Sequence, residues 1–338
     1  MTSSYLYYPG CSMDSTAKAY ASSLDAVCGP LGIDLHEVDD WNCCGATEYL
    51  SISQARAHAL VGRNLVLAEK QRNGSHTLVA PCSACFVNLS RTEHYMREDR
   101  ALAATVNGAL DADGLSYTPG SIEVRHLFEV LVDEVGIEAV RAQVVRPLSG
   151  LRVAPYLGCL VTRPDYDGRW RSREHPLAFD RLLGALGAEV VDFPPRTDCC
   201  GGHMTQISPG TGFELIRRLV DAADRLGADM LVTICPMCQM NVDAYQGEMN
   251  RYFHTHHHMP ILFFTQLMAL AFGAPPEKVG IGSELVSAAK ALGRIGIEVP
   301  VEEPGEAVAT GAPGRTRREK RPTGLPMPPA PDDGEARR

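Results

Sequence analysis

The chain has 338 residues, 45% of them hydrophobic and 22% charged, with 11 cysteines and a formal net charge of −9. This is the composition of an ordinary globular protein, long enough to bury a substantial core in one large domain or two smaller ones. The acidic balance excludes a general affinity for nucleic acid or anionic membrane, because both need basic patches.

The start, MTSSYLYYPG, has neither a basic n-region nor an apolar h-region and does not read as a secretory signal. The most apolar window, Met259 to Ala274 (MPILFFTQLMALAFGA), is 16 residues long with Thr265 and Gln266 inside it. It is short for a membrane span and reads as a buried helix. A cytoplasmic location is therefore expected. In that compartment 11 cysteines point to metal or redox chemistry more than to structural disulfides.

In chain order, SYLYYPG is a strand-like run that carries Cys11 at its end. The helical stretch TAKAYASSLDAVCG closes near a glycine. DLHEVDDW reads as a second strand leading to CCG at Cys43 and Cys44, followed by the longer helix SISQARAHALVGRNLVLAEKQRNG. HTLVAP reads as a third strand ending at the C-x-x-C of Cys82 and Cys85, again with a helix after it. The apolar segment VRHLFEVLVDEVG, 124–136, closes the first half before a helix.

Past Pro147 to Gly150 the series restarts. LRVAPYLG carries Cys159, and PLAFDRLLGALG reads as a helix. AEVVDF precedes the CCG of Cys199 and Cys200, followed by the helix GFELIRRLVDAADRLGAD. DMLVTI precedes the C-x-x-C of Cys235 and Cys238, and PILFFTQLMALAFG, 260–273, closes the half. The expected organisation is a first domain over 1–149 and a second over 150–276, with one more helix within 277–300. Residues 301–338 form a Pro-, Gly- and charge-rich tail that reads as disordered, its RTRREKR cluster included.

Ten of the 11 cysteines fall into two sets, C-x31-CCG-x36-C-x2-C and C-x39-CCG-x33-C-x2-C, offset by 148, 156 and 153 residues. YYPGCS answers YLGCL, and TLVAPCSAC answers LVTICPMC. This is a tandem duplication, and the expected fold is α/β: two homologous βαβ-type domains in a pseudo-two-fold relation. All ten cysteines then lie at or just beyond the carboxyl ends of parallel strands, where open α/β sheets place their ligands.

Adjacent cysteines are poorly placed for a disulfide with each other. Core packing explains Cys28, on an apolar helix outside both motifs, but not ten cysteines in two copies of one spacing. A thioredoxin-like dithiol fits Cys82–Cys85 and Cys235–Cys238 and leaves three cysteines per half without a role. Structural zinc needs four ligands, one fewer than each set supplies. An iron–sulfur cluster fits best. The extra thiolate in CCG could bridge two irons or hold a cluster of unusual shape, and the following glycine lets the backbone approach closely.

These motifs resemble the tandem CCG-domain signature of the B subunit of heterodisulfide reductase, across roughly residues 5 to 275. The resemblance implies two non-cubane [4Fe–4S] clusters. One would be held by Cys11, Cys43, Cys44, Cys82 and Cys85, the other by Cys159, Cys199, Cys200, Cys235 and Cys238. It also implies a ferredoxin-like iron–sulfur C subunit and a flavin-containing A subunit as partners. The tail lies outside the pattern.

Reducing a disulfide takes two electrons and a cluster usually passes one, so two clusters facing a small-molecule or carrier-bound disulfide between the halves form a rational pair. His203, in CCGGH, is the candidate catalytic proton donor to a released thiolate; the alternative is a helix-start histidine satisfied by the backbone. The HTHHH run at 254–258 has the composition of a metal tract but reads as an exposed loop. No Ser-His-Asp set, P-loop or G-x-G-x-x-G appears, so electrons must come from a partner. Two other functions remain open: an electron-transfer subunit like the CCG proteins of glycolate, lactate and glycerol-3-phosphate oxidising complexes, and a zinc scaffold, with zinc in a single site as a variant.

Overall fold

The computed structural model describes residues 3–46, 49–72, 74–163, 166 and 172–299. The expected tail at 301–338 lies outside the described residues.

The first half opens with β1 (Ser3–Tyr7), α1 (Lys18–Leu31) and β2 (Ile33–Glu37). Helices α2 (Tyr49–Ile52) and α3 (Gln54–Gln71) lead to β3 (Thr77–Ala80). Then α4 (Ser83–Glu98) and α5 (Arg100–Leu110) lead to β4 (Glu123–His126), which runs directly into α6 (Leu127–Glu129), a π-helical turn and α7 (Ile137–Ala142). The second half repeats the plan with β5 (Arg152–Tyr156), α8 (Ala178–Ala185), β6 (Glu189–Val190), α9 (Met204–Ile207), α10 (Pro209–Arg225) and β7 (Met230–Thr233). It continues through α11 (Pro236–Phe253), β8 (Ile261–Phe263), α12 (Phe264–Ala271) and α13 (Ala289–Arg294).

Both sheets are wholly parallel and share one topology, β2-β1-β3-β4 and β6-β5-β7-β8. In each, the chain starts at an inner strand, steps outward, then crosses to the other side. The strand order thus reverses between β1 and β3, and between β5 and β7, which creates a crevice at their carboxyl ends. The inner strand β3 is almost wholly buried and β7 completely so, as expected of the uninterrupted apolar runs TLVA and MLVT. The edge strand β2, IDLHE, is largely exposed beyond its first residue.

Several elements are shorter than the periodicity predicts. The strand expected through Trp41 stops at Glu37, and Asp40 adopts a left-handed φ of 60°. AEVVDF yields only two strand residues, because Pro194 and Pro195 follow and cannot donate to a ladder. The helix expected over 51–74 breaks at the extended Ser53 into α2 and α3. Each closing apolar segment divides into a strand and a helix, β4 with α6 and β8 with α12.

The two sheets share a core and belong to one compact unit, Met1–Val301. The Met259–Ala274 window supplies much of it: all eight residues of α12 are buried. Among the described residues no helix is long and apolar enough to cross a membrane. Tyr20 stacks on Phe263 with ring centroids 4.5 Å apart, and Phe264 meets Tyr20, Phe128 and Phe179 edge-on at 5.9, 6.2 and 6.1 Å. The Ser23 and Thr265 hydroxyls hydrogen-bond across the same buried seam at 2.7 Å. Phe264→Ala would therefore cost about 3–5 kcal/mol. Denaturant unfolding should remain one transition, shifted to lower midpoint; two separated transitions would mean that the halves fold independently.

Candidate metal centres

The switch-point topology explains how cysteines far apart in sequence come together. Cys11 and Cys159 follow the first strand of each half, and each CCG pair follows the second. Cys82 and Cys235 end the third strands and cap α4 and α11, so Cys85 and Cys238 fall in the first turns of those helices. Cys11 and Cys43 sulfurs lie 3.9 Å apart, and Cys44 and Cys85 sulfurs 3.4 Å apart. In the second half, all five motif cysteines line one cavity of about 220 Å³.

Burial follows the same order in both halves. The second cysteine of each pair and both cysteines of each C-x-x-C are buried, whereas Cys43 and Cys199 are exposed. The two sets also meet. Ser83, the residue after Cys82, lines the second-half cavity together with Cys235, so the two C-x-x-C motifs approach each other at the seam. Among the described residues no three of His, Cys, Asp and Glu converge tightly enough to be a ready site for a single metal ion.

Each set is held by polar residues that cysteine spacing alone does not reveal. The Tyr8 hydroxyl donates to the carbonyl of Asn42, just before the first CCG, at 2.7 Å. Tyr156 does the same to Asp198, just before the second, at 2.9 Å. Asn88 donates to the Cys44 carbonyl at 3.1 Å and also to Ala46, and Asn241 donates to the Cys200 carbonyl at 2.5 Å. The signal is present in the duplication: tyrosine stands three residues before the first cysteine in both halves, and asparagine three residues after each C-x-x-C.

Gly10 and Gly158 serve a second purpose. Both have positive φ, +72° and +70°, and a Cβ there would sit 2.8 Å from the Cys85 sulfur or 2.9 Å from the Cys238 sulfur. The backbone must pass that close to the sulfurs, and only glycine can.

Proton sharing among the thiols concentrates negative charge. Hydrogen bonds from Cys43 and then Cys85 pull Cys44 down to about 3. Those from Cys159 and Cys200 pull Cys199 down to about 2. Cys238 and Cys82 hold Cys235 well below the usual thiol range. The donors move the other way: Cys43, Cys85, Cys159 and Cys238 are raised, and Cys200 is pushed up to about 12. Crowded thiols cannot all ionise together unaided. A bound cationic group removes that limit by taking the place of the protons, which fits these donors to a thiolate-ligated metal group.

The remaining candidates fall elsewhere. His203 stands at the start of α9 and lines the second-half cavity beside Cys199 and Cys200. His254, His256 and His258 are exposed, and His257 hydrogen-bonds Asp224 at 3.0 Å. Asn250 ties this loop down through His257 and Thr255. Cys28 is half-buried on α1, its thiol pushed up to about 12 by burial.

Paired parallel sheets with five thiols at each carboxyl edge define a tandem cysteine-rich α/β protein. The CCG family model, described as a cysteine-rich domain, matches residues 5–90 and 153–243, and the chain belongs to that family. It is 32% identical over 290 residues to the 8-methylmenaquinol:fumarate reductase membrane anchor subunit of Wolinella succinogenes, covering 86% of this chain and 99% of that protein. It is 31% identical over 268 residues to the B subunit of the ferredoxin:CoB-CoM heterodisulfide reductase of Methanosarcina mazei, covering 78% and 88%. A solved structure of a hypothetical protein from Helicobacter pylori shares the fold, with a TM-score of 0.66 at 14% identity over 84% of this chain and 52% of that one.

Gly158→Ala should lower the metal bound per chain, with the far-UV circular dichroism unchanged. Gly184→Ala, where an added Cβ meets nothing within 4 Å, should leave metal content intact. Equal metal content in the two variants would contradict the close-approach role of Gly158.

Proposed function

We propose that the chain is the iron–sulfur subunit of a heterodisulfide-reductase-like complex that reduces or forms a disulfide. In this reading Cys11, Cys43, Cys44, Cys82 and Cys85 hold one [4Fe–4S] cluster of the non-cubane type, and Cys159, Cys199, Cys200, Cys235 and Cys238 hold a second. The observation that supports it is the convergence of all five second-half cysteines on one cavity, which Ser83, next to Cys82 of the equivalent first set, also lines. Five sulfurs around a cavity of about 220 Å³ in the second half, one more than zinc takes, favour a polynuclear group.

Bound clusters would supply one-electron transfer, and two adjacent centres match the two electrons that separate a disulfide from two thiols. The chain's own residues do the rest. Tyr8, Tyr156, Asn88 and Asn241 fix the CCG loops, so Cys43 and Cys199 stay exposed while their neighbours are buried. Leu157, Leu160, Met204, Ile207 and Met237 give the second cavity an apolar wall. His203, which lines the same cavity, would deliver a proton to a departing thiolate. Electrons would come from a ferredoxin-like C subunit fed by a flavin-containing A subunit, in the cytoplasm.

Replacing Cys43 and Cys44 together by Ser should abolish disulfide turnover while the second-half centre remains. Full activity in that protein would rule out two-centre chemistry.

The Wolinella relative favours a second reading, in which the chain passes electrons from a quinol to a partner enzyme without disulfide turnover. Titration of the cluster signal separates the two. Perturbation by a small-molecule disulfide supports the first, and perturbation by a menaquinol analogue alone supports the second.

A further inference from the structure

The cavity of about 220 Å³ in the second half is lined by five cysteines and, beside them, by Leu157, Leu160, Met204, Ile207 and Met237. The thiols suffice to hold a metal group, so the apolar side chains are left to meet whatever approaches it. Leu157 is buried, Leu160, Met204 and Met237 are half-buried, and Ile207 is 73% exposed. The apolar wall therefore runs from beside the thiols out to the surface.

The duplication supplies a control. Aligning the halves at their cysteines sets Leu160 against Ser12, Met237 against Ala84 and Met204 against Glu48. At these positions the first half carries a small or polar residue. Both halves share the cysteine framework, so the framework does not require the bulk and apolarity of the second wall. Among the described residues that line this cavity there is no lysine, arginine, aspartate or glutamate. A carboxylate, sulfonate or phosphate brought against the wall would lose hydration with no cation to replace it, and it would face negative thiolates. A hydrocarbon arm gains instead, by about fourfold in affinity for each methylene buried.

We propose that the second-half centre takes an uncharged ligand with a hydrocarbon arm, and that Leu160, Met204, Ile207 and Met237 select it over anionic ligands. The inference rests on the reading that the second thiol set holds an iron–sulfur cluster. Two sources share this chemistry: a dialkyl disulfide, if the chain turns over disulfides, and a quinone, if it exchanges electrons with one. Selection by an apolar wall that reaches the surface is common to both.

The test follows disulfide reduction by reduced benzyl viologen on the full chain purified without oxygen. The substrates are dipropyl disulfide and its anionic analogue of matched length, 3,3′-dithiodipropionate. Each turnover breaks the S–S bond, takes one electron from each of two viologen radicals and two protons from water, and releases two thiols. Dipropyl disulfide should have the higher kcat/KM, by about tenfold or more. Ile207→Lys, at the exposed end of the wall, should lower that preference by about tenfold, chiefly through KM, with iron and sulfide unchanged. If that protein loses iron, Met204→Lys carries the same expectation. Equal kcat/KM for the two substrates in the wild-type chain overturns the inference, as does a preference unmoved by lysine in a protein with full iron. If neither disulfide is reduced, a short-chain menaquinone is added and the second-half EPR signal, assigned by its loss in Cys200→Ser, is followed. Perturbation that Ile207→Lys weakens upholds the apolar selection and overturns disulfide turnover. No response to either ligand class overturns the inference, and absence of clusters from the wild-type chain overturns the two-cluster reading itself.

Discussion

Five sulfurs from three separate strand ends have to reach one place, and the parallel strand order of each sheet is the constraint that makes this possible. Because the order reverses between the two inner strands, their carboxyl ends flank an open crevice. The outer strand brings its CCG loop to the same edge. The C-x-x-C then delivers one sulfur as a helix cap and another one turn later. Glycines before the first cysteines and tyrosine and asparagine anchors behind the pairs follow from that convergence. They let backbone pass beside sulfur and stop the loops from swinging away.

Joining two such sheets through one core adds what a single copy lacks. The aromatic seam of Tyr20, Phe128, Phe179, Phe263 and Phe264 sets the halves so that the two C-x-x-C motifs approach each other. Adjacent one-electron centres are a natural means of handling two-electron chemistry.

Much of this is legible in the chain. The cysteine spacing marks both sets, and the apolar runs TLVA and MLVT mark the inner strands, because parallel strands buried on both faces leave a continuous signal. The edge strands are shorter than the sequence pattern suggests, since their exposed residues carry no such signal and local turns end them: Asp40 in the left-handed region, Pro194 and Pro195 by lost donors. Tyr8, Tyr156, Asn88 and Asn241 are visible only by comparing the halves at positions other than cysteine. The approach of the two C-x-x-C motifs cannot be read from either half, because it depends on how α1, α12 and their aromatic residues dock. His203 falls beside the second cavity through its neighbourhood to Cys199 and Cys200, whereas the HTHHH run belongs to an exposed loop tied to Asn250 and Asp224.

The central claim is that each thiol set holds a polynuclear iron–sulfur group, and metal analysis tests it most directly. Iron, zinc and acid-labile sulfide should be measured on the full chain purified without oxygen. About eight irons and a comparable amount of sulfide per chain is the predicted result, four irons for each five-cysteine set. Zinc without sulfide, persisting after an attempt to reconstitute clusters, would contradict the account and leave the paired cysteines as ligands of a structural metal.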